Sequence, residues 1–204
     1  MTTNEILVAL DKVIPNPICA LDYNKDYELL IAVMLSAQST DKRVNMVTKE
    51  LFKYDINELA EMEASEIEKI IKPVGTQKRK SEYVKRICQI LLDKTDGKVP
   101  LDRAFIESLP GIGHKTCNVV LSEIYDVPAI AVDTHVSRVS KRLGFAGYLD
   151  DVVKIEEKLC KKFPKEKWGR LHLQLVLFGR HYCKSQKPLC DGCPFSKICT
   201  YKNL

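Results

Sequence analysis

The 204-residue sequence has no apolar run long enough to cross a membrane. Its longest run, Leu29–Leu35, falls far short of the roughly 20 residues that a transmembrane helix needs. The first residues, MTTNEILVALDKVIP, also lack the apolar stretch and cleavage site of a secretory signal. These absences exclude an integral membrane protein and predict a soluble protein that stays inside the cell, in the cytoplasm.

Internal repeats and low-complexity segments are absent as well, and the composition, 45% hydrophobic and 29% charged, is that of a globular chain. The net charge of +5 is unevenly distributed. Residues 161–204 hold ten Lys or Arg against Glu166 and Asp191, whereas the rest of the chain holds 22 Lys or Arg against 25 Asp or Glu. This asymmetry is typical of a protein that binds a polyanion, although a solvated basic tail explains it equally well.

Strand patterns are nearly absent, since only Val127–Val132 resembles a strand and it has no evident partner. Apolar residues recur at helical spacing elsewhere, which predicts an all-α fold. The expected helices are 3–13, 26–37, 40–53, 65–71, 77–93, 102–108, 114–125, 134–143, 151–162 and 166–182. The segment 29–35 is apolar on every side, as in a central helix, and the non-helical VPAIAVD predicts a domain boundary near residue 128.

Four of the eight cysteines lie within 17 residues near the end of the chain: Cys183, Cys190, Cys193 and Cys199. In a reducing compartment such a cluster predicts a metal or iron-sulfur site rather than disulfides. Four thiolates suit either tetrahedral zinc or a [4Fe–4S] cluster, and the spacing leaves both open. The other four cysteines are scattered, as small core residues are.

The stretch LPGIGHKT, residues 109–116, predicts a tight turn between two helices. Pro110 cannot continue a helix, while Gly111 and Gly113 allow conformations closed to larger residues. Free backbone amides at the start of the next helix would bind a phosphate without reading base sequence. A turn that simply joins two helices remains the alternative.

Lys115 follows this turn at the start of a helix. The residues at positions 117, 120, 121 and 124 form the apolar stripe of that helix, and Lys115 lies roughly opposite to it. The positive end of the helix dipole disfavours an ammonium ion there, which suits a nucleophilic amine. An ordinary surface lysine is the alternative.

Asp133 precedes the helical pattern THVSRVSKRL, and its simplest role is the N-cap of that helix. A second role becomes possible if it approaches Lys115 from a facing lobe, because a carboxylate there would orient the amine or stabilise a cationic sugar. We expect His135 to contact phosphate or to pack, rather than to act as a base.

Together these segments resemble the endonuclease III family of helix-hairpin-helix DNA glycosylases. LPGIGHKTCNVVL resembles the hairpin with the catalytic lysine, AVDTHVSRV the catalytic aspartate segment, and LSAQSTDKRVN an early DNA-facing segment; the four cysteines resemble the [4Fe–4S] loop. The resemblance covers nearly the whole chain in family order.

The resemblance implies two helical lobes with a DNA-binding cleft between them. A six-helix barrel lobe, 19–127, would carry the hairpin, and a discontinuous lobe, 1–18 with 128–204, would carry the cluster. The implied enzyme is a bifunctional DNA glycosylase and AP lyase, monomeric and associated with the nucleoid, acting on double-stranded DNA with oxidised pyrimidines or abasic sites.

The implied catalytic residues are Lys115, which attacks the sugar of a flipped nucleotide, and Asp133. Gln38 would fill the gap that the extruded nucleotide leaves. The remaining residues expected to contact DNA are Gly111, Gly113, His135, Lys184 and Lys187.

Two departures from the family stand out. Gly75 is followed by Thr76 and Gln77, where the family has a bulky apolar wedge and an aromatic residue, so the residue that parts the opposite strand is open. His114 and Cys117 replace an arginine and an alanine. The alternatives are a monofunctional mismatch or adenine glycosylase, and a non-catalytic helix-hairpin-helix DNA-binding protein.

Overall fold

Helices make up all of the regular secondary structure in residues 1–201, the part of the chain that the computed structural model describes. The all-α prediction is confirmed, and Val127–Val132 forms neither a helix nor a strand in this described range. The helices are α1 (Thr3–Val13), α2 (Asp26–Leu35), α3 (Asp41–Leu51), α4 (Ile56–Glu61), α5 (Ala64–Ile70), α6 (Gln77–Thr95), α7 (Arg103–Ser108), α8 (His114–Tyr125), α9 (Thr134–Arg142), α10 (Val152–Lys162) and α11 (Trp168–His181), with a 3₁₀ turn at Lys165–Lys167.

Most predicted helices lie within one or two residues of their observed bounds. The short helix α4, with six residues, was not predicted. Its start is nevertheless encoded locally, since Asp55 accepts from the amides of Asn57 and Glu58 while Glu58 reaches back to the Asp55 amide. The predicted extension of α2 to residue 37 is wrong, because the helix ends at Leu35 and a turn follows.

The chain divides into two compact units, and Cys19–Tyr125 forms one of them. Its centre is α2, in which every residue from Tyr27 to Leu35 is buried, as the apolar segment predicted. Helices α3, α6 and α8 pack on α2, while α4 and α5 pack on α6. The hairpin formed by α7 and α8 belongs to this unit.

The other unit joins Met1–Ile18 to the chain from Asp126 onward. Here α11 packs against α9 and α1, and α10 packs against α9. The apolar core includes Leu10, Val136, Leu171, Phe178 and Phe195. Within the described residues, no helix is both long and apolar enough to traverse a bilayer.

Candidate active site and nucleic-acid interface

The turn between α7 and α8 is built as the LPGIG pattern predicts. The flanking residues Leu109 and Ile112 are buried and anchor it, and the Ile112 amide donates to the Leu109 carbonyl at 3.1 Å. Gly111 and Gly113 are exposed, and α8 begins directly after them at His114. The exposed glycine backbone therefore lies at the amino end of a helix, which is a suitable place for an anion.

Gly111 is required at its position for two reasons. Its φ of +77° lies in the left-handed region that side chains disfavour. A Cβ atom there would also lie 2.5 Å from Cδ2 of Tyr83. By contrast, a Cβ at Gly113 would meet nothing within 4 Å.

We expect Gly111→Ala to lower the free energy of unfolding by about 2–3 kcal/mol, because the strained φ and the clash with Tyr83 add together. Gly113→Ala is the matched control, and it should change stability by less than about 0.5 kcal/mol. Denaturant unfolding followed by circular dichroism measures both. Equal stability of the two variants would contradict this explanation of the turn.

A polar network ties the two helices of the hairpin together. Arg103 donates to Glu107 at 3.0 Å and to Asn118 at 2.8 Å, and the ring of His114 lies 3.3 Å from Glu107 through Nδ1 and 3.3 Å from Asn118 through Nε2. The hydrogen bond from Arg103 lowers the pKa of Glu107, and His114 acts in the same direction. His114 thus takes part in the hairpin itself, while Cys117 is fully buried in the core.

Lys115 is exposed in the first turn of α8. The predicted apolar stripe on the other face of the helix is confirmed, since Cys117, Val120 and Leu121 are buried and Ile124 is partly buried. The packing of α8 therefore presents the Lys115 side chain to solvent beside the glycine turn, at the positive end of the helix dipole.

Asp133 lies in the other compact unit and caps α9. Its Oδ1 atom accepts a hydrogen bond from the Val136 amide at 2.7 Å, so the predicted N-cap is confirmed. The residue is partly buried. Capping holds the carboxylate in a defined orientation at the start of the helix.

His135 and Arg138 form a contact between α9 and the first cysteine. Nη2 of Arg138 lies 3.1 Å from Nδ1 of His135, and because a guanidinium only donates, Nδ1 is the acceptor. Arg138 also donates to the carbonyls of Gly179 and Cys183. Burial lowers the pKa of His135, which Asp133 opposes and the neighbouring arginines reinforce. The geometry favours a neutral packing residue over a phosphate-binding cation.

Arg142 contacts both ends of the segment that carries the four cysteines, residues 183–200, which is called the cysteine loop below. Its guanidinium donates to Sγ of Cys183 at 3.5 Å and to the carbonyls of Lys184 and Ser185, while its own carbonyl accepts from the Thr200 amide at 2.8 Å. Neither Arg138 nor Arg142 was predicted from the sequence. Their spacing along α9 was visible, but not the loop that they contact.

The four cysteines predicted as ligands are all partly buried, and Cys183, Cys193 and Cys199 border the apolar core of their unit. Burial raises the pKa of Cys193, a hydrogen bond with the Phe195 backbone opposes this effect, and the charges of Cys183, Cys199 and Cys190 add to it. Among residues 1–201, no three His, Cys, Asp or Glu side chains converge as ligands of a single ion.

The remaining predicted DNA contacts are exposed. Gln38 lies in the turn after α2 with a left-handed φ of +58°, and Lys184 and Lys187 lie in the cysteine loop. Nζ of Lys80, a residue that sequence reasoning overlooked, donates to the carbonyl of Ala37 directly before Gln38.

Comparison with known proteins gives consistent matches. The family described as "HhH-GPD superfamily base excision DNA repair protein" matches residues 31–165. Endonuclease III of Bacillus subtilis (strain 168) is 42% identical over 204 residues, covering 98% of this chain and 93% of the relative. Endonuclease III of Escherichia coli (strain K12) is 42% identical over 200 residues, covering 97% and 94%. A trapped endonuclease III–DNA covalent intermediate, an estranged-adenine complex, matches with a TM-score of 0.92 at 43% identity, covering 100% of this chain and 98% of that chain.

Proposed function

Because this chain belongs to the endonuclease III family of the HhH-GPD superfamily of base excision DNA repair proteins, we propose that it removes oxidised pyrimidines from double-stranded DNA with Lys115 as its nucleophile. At the level of the family it is a DNA glycosylase with AP lyase activity. The observation that carries the proposal is the exposed amine of Lys115, held in the first turn of α8 beside the glycine turn.

The proposed reaction follows from the chemistry of a primary amine. Nζ of Lys115 bonds to C1′ of the flipped nucleotide, and the bond from C1′ to the base breaks, so that the base leaves with the electron pair. Opening of the sugar gives a Schiff base between the lysine and C1′. Loss of a proton from C2′ then expels the 3′ oxygen with its phosphate, which cuts the strand on the 3′ side of the lesion.

Asp133 is the proposed partner of Lys115 in this reaction. Its carboxylate is oriented by the cap bond to Val136, and an anion near the reacting sugar stabilises the positive charge that develops as the base departs. The same carboxylate can accept the proton that the lysine loses on attack. We therefore assign the two catalytic roles to Lys115 and Asp133.

We propose that Gly111 and Gly113 bind a backbone phosphate through their exposed amides, while Lys184 and Lys187 add charge from the cysteine loop. Gln38 enters the gap in the duplex, and His135 supports the interface. The two compact units are proposed as the functional domains, 19–127 and 1–18 with 128–204. A monomer acting inside the cell, at the nucleoid, suits an enzyme whose substrate is chromosomal DNA.

We propose that the cysteine loop binds a [4Fe–4S] cluster. Cys183, Cys193 and Cys199 border an apolar core, and Cys190 is partly buried in the same loop. Each thiolate of such a cluster binds a different iron, so the sulfurs need not meet at one point. The hydrogen bond that Arg142 donates to the Cys183 sulfur also suits a thiolate that ligates iron. The cluster would supply a structural crosslink that orders the loop and its lysines.

Anaerobically purified protein is expected to contain iron and inorganic sulfide and to show broad visible absorption. Cys193→Ala should lose that absorption and lower stability, whereas Cys160→Ala, in the same unit but outside the loop, should keep it. Zinc in place of iron, without visible absorption, would show that the cluster assignment is wrong.

The test of the function uses a duplex with a single thymine glycol. The wild-type protein should release the damaged base and nick the strand, and borohydride should trap a covalent adduct. Base release without a nick or an adduct would indicate a monofunctional glycosylase. DNA binding without base release would indicate a non-catalytic protein.

A further inference from the structure

Lys80 is a buried lysine in the first turn of α6, with only 4% of its surface exposed. Its ammonium donates to the carbonyl of Leu35 at 2.9 Å and to the carbonyl of Ala37 at 2.7 Å. Burying an ammonium ion is unfavourable unless hydrogen bonds compensate for the lost water. Burial accordingly lowers the pKa of Lys80, and Arg79 acts in the same direction. Two backbone oxygens, rather than a carboxylate, hold this charge in place.

The two carbonyls belong to the end of α2 and the turn that follows it. Leu35 is the last residue of α2, where carbonyl groups lack helical partners and the helix dipole favours a cation. The carbonyl of Ala37 belongs to the peptide group that immediately precedes Gln38. Fixing that peptide plane therefore fixes one of the two planes that define the left-handed backbone of Gln38.

The turn before α6 lies against the same segment. A Cβ atom on Gly75 would be 4.0 Å from the carbonyl oxygen of Gln38, so the two turns are neighbours. Thr76 is exposed and also left-handed, with a φ of +58°, and its carbonyl accepts from the Lys80 amide at 3.1 Å. Lys80 thus bonds to one turn through its side chain and to the other through its backbone.

We propose that Lys80 is a positioning residue for nucleotide extrusion, whose ammonium locks the Gln38 turn to the start of α6 so that Gln38 and Thr76 enter the duplex as one rigid unit. The inference rests on the proposed insertion of Gln38 into DNA. Extrusion unstacks a base, so the inserted side chain must resist being pushed back. A left-handed turn keeps its strained conformation only if its surroundings hold it there, which is what the ammonium does.

The first experiment compares Lys80→Met, which keeps the length of the side chain but removes the ammonium, with Lys94→Met, an exposed lysine on the same helix. Single-turnover excision of thymine glycol from duplex DNA should fall about tenfold or more for Lys80→Met, because the insertion is no longer preorganised. The fluorescence rise of 2-aminopurine next to the lesion should shrink in parallel. Borohydride trapping at an abasic site in single-stranded DNA, which needs no extrusion, should be unchanged. Lys94→Met should match the wild type throughout.

The second experiment asks whether Lys80 acts through Gln38, by combining Lys80→Met with Gln38→Ala. If it does, Lys80→Met should slow excision by no more than about twofold in the Gln38→Ala background, since coupled residues are not additive. The same fold loss in both backgrounds would mean that Lys80 only supports the fold and would overturn the proposal. If Lys80→Met does not fold, Lys80→Arg is used in both experiments instead. It should slow excision several-fold when Gln38 is present and should have no further effect in the Gln38→Ala variant.

These outcomes distinguish a failure of the proposed role of Lys80 from a failure of the proposed reaction. A wild-type protein that neither excises nor traps would overturn the proposed reaction, and the role of Lys80 with it. An active wild type with a fully active Gln38→Ala variant would leave the reaction standing and overturn only the positioning role.

Discussion

Lys115→Ala is expected to abolish borohydride trapping and to reduce the excision of thymine glycol by roughly 1,000-fold or more, because it removes the proposed covalent nucleophile and leaves no amine to attack C1′. The stability of the variant should change by less than about 0.5 kcal/mol, since the side chain is exposed and packs against no core. Single-turnover kinetics and gel analysis of the trapped adduct measure the loss.

Lys94→Ala is the control for this experiment, as it removes an exposed helical lysine elsewhere in the same unit. It should trap DNA as the wild type does. A trapped adduct of undiminished yield in Lys115→Ala would place the nucleophile on another amine, and peptide mapping of the adduct would then identify it.

Asp133→Asn is expected to slow excision by about 10²–10⁴-fold while the protein stays folded, because the variant loses the negative charge that we propose acts on the reacting sugar. Asparagine caps a helix about as well as aspartate, so the bond to the Val136 amide should persist. Rates under single-turnover conditions, with binding measured separately, distinguish a chemical defect from weaker affinity for damaged DNA.

Asp151→Asn provides a closely matched control. Asp151 caps α10 by accepting from the Lys154 amide at 2.9 Å, so the substitution removes the same charge from the same position of another helix in the same unit. Its excision rate should equal that of the wild type. If Asp133→Asn lost no more activity than Asp151→Asn, Asp133 would be a helix cap and nothing further.

Local signals accounted for the parts of the fold that depend on neighbouring residues. The all-apolar segment Leu29–Leu35 predicted a buried central helix, and Asp133 before THVSRV predicted a capped one. The exposed position of Lys115 followed from the apolar stripe on the opposite face of its helix. In each case the pattern lies within one or two helical turns, which is the range over which periodicity and capping act.

Contacts between distant segments were not predictable in this way. Nothing in the sequence near Lys80 shows that its ammonium meets carbonyls 43 and 45 residues away. The same holds for Arg142, whose guanidinium and carbonyl contact opposite ends of the cysteine loop. The last carbonyl of α2, that of Leu35, likewise accepts a hydrogen bond from an ammonium that belongs to another helix.

The sequence by itself determined most of the helices, the glycine turn, the lysine that follows it and the set of cysteines, because helical periodicity, positive φ and thiolate chemistry are properties of short segments. Only the tertiary structure decided which charged side chains hold these segments in place. Packing brings Lys80 to the turn of Gln38, and Arg138 and Arg142 to the cysteine loop, and a hydrogen bond between residues far apart in the chain forms only after the helices that carry them have packed.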